Sequence, residues 1–118
     1  MTIRTECERW AIGTLPPLAY GYMRVPENAD DGPLRQTEQA LRGYAEQRGF
    51  CFPGIFFEFQ PGAREGFGEL MRELFRADAH HVIVPNLGHL ASHALLRRMM
   101  ILQLAATAGA GVLALDAS

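Results

Sequence analysis

Four short apolar runs, separated by three stretches of helical period, constrain this chain more than any other feature. The runs are LAYGYMRV (18–25), the later half of FCFPGIFFEF (50–59), HVIVP (81–85) and GVLAL (111–115). Aromatic and branched residues bounded by Gly, Pro or acids read as strands. Pro53 confines the second strand to the later half of its run, because proline cannot donate to a sheet. HVIVP is apolar throughout, the pattern of a strand covered on both faces. Between the runs, Leu34, Leu41, Tyr44 and Ala45 share one face of a helix predicted from about 31 to 48. Asp31 is its expected N-cap, Pro33 stands near its first position and Gly49 stops it. Phe67, Leu70, Met71, Leu74 and Phe75 fall at offsets 0, 3, 4, 7 and 8, which predicts a second helix over 66–76. A third helix is expected over 90–108.

Strict alternation of strand and helix implies parallel strands, right-handed crossovers and helices on both faces. The expected fold is α/β: a three-layer α/β/α domain with a small, mostly parallel sheet. With 118 residues the chain has room for one such core. Residues 1–17 read as an N-terminal extension, joined through the stiff Leu15-Pro16-Pro17, and residues 18–118 as the domain.

Charge and apolar content exclude several classes. The net charge of −2 argues against a broad nucleic-acid surface, which needs clustered cations. All eleven basic residues are Arg, so every cation can make a planar two-pronged contact. The one adjacent pair, Arg97-Arg98, reads as a solvated helix face. No charge-free apolar run reaches the ~20 residues that span a bilayer. The N-terminal MTIRTECERW is not a secretory signal. Cys7 and Cys51 read as free thiols, and the protein as cytoplasmic.

In an open parallel sheet, ligands bind beyond the carboxyl ends of the strands. That places Arg24, Pro26 and Glu27 after the first strand, Glu58, Gln60, Gly62 and Arg64 after the second, and Asn86, Gly88 and His89 after the third. Arg24 stands where an anion would bind, or where a salt bridge to Glu27 or Glu58 would hold it. No Gly-rich phosphate loop and no G-x-S-x-G elbow follows a strand.

The order Tyr22-x-Arg24-Val25, a helix bearing Arg35-Gln36, QRGF (47–50), an acid and a Gly in the second loop, then VIVPNLGHLASH (82–93) resembles the catalytic domain of serine recombinases, the resolvase/invertase family. The likeness runs over about 18–116. In that family Y-x-R-V is followed by the serine that attacks a DNA phosphodiester; here the residue is Pro26. The family's second loop carries Asp, then Ser-Gly, then Arg. Here Glu58 replaces the Asp, Pro61-Gly62 replaces Ser-Gly, Gly66 or Phe67 falls where the Arg belongs, and Arg64 lies off register. The third loop, L-D-R-L-x-R in the family, reads Leu87-Gly88-His89-Leu90-Ala91-Ser92. Only Arg24 and Gln36 keep their identity, with Arg64 nearby as a third possible remnant of an anion site; Glu58, Asn86 and His89 would line the strand-end pocket.

The resemblance therefore implies a recombinase fold without its cleavage machinery. Guanidinium groups neutralise the charge of a transferring phosphoryl group. Removing one preorganised donor costs about 10²–10³ in rate, and losing a serine nucleophile about 10⁶. Proline has no side-chain hydroxyl with which to form a covalent adduct. Ser92 lacks a base or cation cluster beside it in sequence. The sequence ends at Ser118 soon after the last strand, so no helix-turn-helix module is expected within it, and the chain alone is not expected to bind DNA.

No metal site and no cofactor is expected. His89 and His93 have i, i+4 spacing, but no Glu or Cys stands at ligand spacing beside them. The Phe-rich second strand reads as core. The third helix is apolar on more than one side, and Leu95, Met99, Met100 and Leu102 are the expected interface. The leading expectation is an inactive recombinase-like domain acting through protein contacts, as a homo-oligomer or on a protein partner. The alternatives are a recombinase subunit or DNA-associated accessory protein, and a small-anion-binding α/β domain.

Overall fold

Each predicted run becomes a strand trimmed at its ends. The computed structural model describes residues 16–26, 28–59 and 64–116. Glu27, Gln60, Pro61, Gly62, Cys7 and nearly all of the expected extension lie outside them. The elements are β1 (Tyr20–Arg24), α1 (Asp31–Gln47), β2 (Ile55–Glu58), α2 (Glu65–Ala77), β3 (His81–Val84), a single 3₁₀ turn (Leu87–His89), α3 (Ala94–Ala108) and β4 (Gly111–Ala114). All pairings are parallel, in the order β2-β1-β3-β4. Chain order reverses between β1 and β3, so the switch-point crevice lies beyond Arg24 and Val84.

Alternation along β1 sorts the two cores. Tyr20 and Tyr22 face one side with Leu70, Leu74, Leu90, Met100 and Leu104, under α2 and α3. Ala19, Met23 and Ile83 face the other with Leu41 and Ala45 of α1. This is the three-layer arrangement, with two helices on one face and one on the other. Full burial of a Leu such as Leu70, Leu74 or Leu104 stabilises by about 1.5–3 kcal/mol. The Phe-rich run divides: Phe52 is buried, Phe56 and Phe57 are half-buried, and Phe59 is exposed and stacks on Phe57.

Several expectations need correcting. Asp31 lies inside α1, and Asp30 is the N-cap residue. Gly49, at φ 80°, does close that helix. The third helix begins at Ala94, not near 90, with His93 as N-cap accepting from the Leu95 N–H. Its expected first turn is lost because other groups claim the carbonyls. Arg24 takes that of Leu90, and Arg97 takes those of Ala91 and Ser92. Arg97 is thus half-buried and bonded, while Arg98 is exposed as expected. His89 and His93 are not a helical i, i+4 pair. Cys51 is disulfide-bonded, not a free thiol. No helix among the described residues is long and apolar enough to cross a membrane.

Candidate functional site: the strand-end cluster

Burial and direction of the side chains at the carboxyl ends of β1 and β2 decide what this edge can do. Arg24 and Glu58 are register partners on adjacent parallel strands, and side chains two apart on a strand share a face. Tyr22, Arg24 and Glu58 therefore all point toward α2 and α3.

Glu58 is 3% exposed, and its carboxylate is fully engaged. Tyr22 donates its hydroxyl to Oε1 at 2.7 Å. The Gly66 N–H donates to Oε2 at 3.0 Å and the Phe67 N–H to Oε1 at 3.1 Å. Helix N-termini leave N–H groups without intrahelical partners and favour negative charge. Arg64, at the N-cap position of α2, makes no side-chain cap, so Glu58 of the preceding strand supplies it. The close approach demands glycine: a Cβ on Gly66 would lie 2.4 Å from the Phe57 carbonyl oxygen. Burial first, and then the bond to Glu58, push the Tyr22 phenol well above its usual range; the nearby charges of Arg24 and Arg64 oppose that rise.

Arg24 is turned inward. Its guanidinium donates to the Leu90 carbonyl through Nη2 at 2.9 Å and Nε at 3.3 Å. Its backbone N–H donates to Nδ1 of His89 at 3.0 Å, which fixes that nitrogen as the acceptor. Burial, and then the charge of Arg24, lower the His89 pKa. Asn86 accepts the Gly88 N–H at 2.9 Å and so starts the 3₁₀ turn. The switch-point crevice is thus occupied by the chain's own Leu87–Leu90 segment.

The structure brings Arg24, Tyr22, Glu58 and His89 together, with Arg64 close enough to act on Tyr22. Gln36 is exposed on α1, on the other face of the sheet, and has no side-chain hydrogen bond among the described residues. Pro26 is exposed beyond β1. Tyr22 was missed as a member of this cluster. Its place in Tyr22-x-Arg24-Val25, two residues from Arg24 and so on its face, was the available signal. At the expected interface Leu95, Met99 and Leu102 are exposed, whereas Met100 is 1% exposed and belongs to the core. No group of three or more His, Cys, Asp or Glu able to hold a metal occurs among the described residues.

Comparison with known proteins gives the cluster its setting. No protein-family model and no curated protein matches the sequence. Among solved structures, the C-terminal catalytic domain of ISC1926 TnpA, an IS607-like serine recombinase, matches with a TM-score of 0.70. Identity is 16%, over 85% of this chain and 71% of that one. The fold is that of a serine recombinase catalytic domain. In this domain, the positions at which the sequence resemblance expects an arginine after β2 hold no side chain that reaches outward. Gly66 has no room for one. Phe67 is buried, its ring edge-on to Tyr22 with centroids 5.9 Å apart.

Proposed function

We propose that this chain is a catalytically inactive serine-recombinase-like domain that acts through protein contacts. One observation carries the reading: the two charged side chains at the ends of β1 and β2, Arg24 and Glu58, are bonded within the protein. Glu58 closes the N-terminus of α2, Arg24 lies on the Leu90 carbonyl, and Pro26 follows Val25, where the sequence resemblance calls for the nucleophilic serine. A phosphate approaching α2 would meet a buried carboxylate where helix N–H groups otherwise attract anions. The same arrangement disfavours a small-anion site in the crevice.

Incubation with supercoiled plasmid tests the reading. The expected result is neither nicking nor a protein–DNA adduct that survives denaturation. An adduct mapped to any serine, Ser92 included, ends the proposal.

A further inference from the structure

α3 has two unlike long faces. Toward the sheet it presents Met100, Leu104 and Ala108, four apart and buried. On the opposite side Leu95, Met99, Leu102 and Ala106 follow at intervals of four, three and four, the spacing by which one helix packs along another. Leu95, Met99 and Leu102 are 62%, 57% and 60% exposed. A groove of about 570 Å³ runs along one flank of this ridge and one of about 400 Å³ along the other, both touching Leu102. The helix has 15 residues, so the ridge offers a partner roughly 22 Å of length at 1.5 Å per residue.

Charge selects the occupant. α3 contains two arginines and no acid, in a chain whose net charge is −2. The charged residues lining the grooves are Arg97 and Arg98 on one flank and Arg64 on the other. Arg97 is held by the Ala91 and Ser92 carbonyls. Arg64 and Arg98 form no ion pair among the described residues. A second copy laid on the ridge would match apolar to apolar but set the groove-lining arginines against one another, and like charges across a helix pair oppose association. A helix with the same apolar spacing and carboxylates beside it gains the apolar burial and meets Arg64 and Arg98 as well.

We propose that the outer face of α3 docks an amphipathic, acid-flanked helix of a partner protein. The inference rests on the reading that this domain works through contacts, and it names the chemistry of the contact.

The probe is a synthetic helical peptide with Leu at the four-three-four spacing and Glu at the flanking positions, matched by one with Lys at the flanks. Fluorescence anisotropy with the full chain reads binding. The Glu peptide is expected to bind about tenfold tighter than the Lys peptide, as a few partly exposed charge pairs allow, and to weaken in high salt. Leu102→Asp removes binding without changing the circular dichroism spectrum. Arg64→Glu with Arg98→Glu reverses the preference toward the Lys peptide. Equal affinity for both peptides, or none for either, overturns the proposal. So does a dimer in sedimentation that Leu102→Asp dissolves, which makes a second copy the occupant. Binding to anionic lipid vesicles that Leu102→Asp abolishes, with no peptide bound, overturns it as well. The plasmid assay is independent: a DNA adduct would end the inactive reading while leaving the peptide result, and peptide failure would leave the plasmid result.

Discussion

The strand-end cluster and the outer face of α3 are opposite kinds of surface. At the strand ends the polar groups are turned inward: Tyr22 and the α2 N-terminus bond to Glu58, and Arg24 bonds to His89 and Leu90. On α3 the apolar groups are turned outward, with Leu95, Met99 and Leu102 each more than half exposed. Folding satisfies the first surface and leaves the second unsatisfied. A group bonded internally contributes stability and little recognition; an exposed apolar ridge contributes recognition and little stability. Under the proposals above, the strand-end edge is scaffold and the outer face of α3 is the working face.

The sharpest test of that contrast is Glu58→Ala. It leaves the Tyr22 hydroxyl and two N–H groups without their buried acceptor, each worth about 1–3 kcal/mol. We expect the urea midpoint to report a loss of at least about 3 kcal/mol. A loss below about 1 kcal/mol would mean that the cluster is not scaffold.

Next in size is Gly66→Ala. Its Cβ meets the Phe57 carbonyl oxygen at 2.4 Å, and overpacking of this kind costs about 1–3 kcal/mol. Gly43→Ala is the control: nothing lies within 4 Å of its added Cβ on α1, and stabilisation of about 0.5–1 kcal/mol is expected. Equal effects of the two changes would show that α2 does not press on β2 as described.

Stability should also fall on mild acidification. The folded pKa of His89 is depressed below its unfolded value, so the unfolded chain binds the proton more readily. The stabilising difference is fully present above the unfolded value of about 6.5 and declines as pH falls below it. Urea midpoints at about pH 7.5 and pH 5.5 read this decline. His89→Asn, which keeps an acceptor for the Arg24 N–H, should flatten it; an unchanged slope would detach His89 from the effect.

The smallest expected change lies on the other surface. Leu102→Ala should stay within about 0.5 kcal/mol of wild type, while Leu104→Ala, from the buried face of the same helix, should cost about 2–5 kcal/mol. A large loss at Leu102 would mean that the ridge is already covered within the protein.

The apolar runs and helical periods of the sequence determined the element order, the parallel sheet and the three layers, because alternation of strand and helix allows few other ways to bury so many short apolar segments. Sequence order also placed Arg24, Glu58 and His89 at one edge. Tertiary structure alone decided what those residues do. Whether a carboxylate faces solvent or a helix N-terminus depends on where α2 begins relative to β2, and no period encodes that. Competition for backbone carbonyls is equally nonlocal: Arg24, 66 positions away from Leu90, helps set the start of α3. The two apolar sides of α3 could be read from sequence, but only packing assigned Met100 to the core and Met99 to the surface, since adjacent helical residues lie about 100° apart and the sheet covers one side.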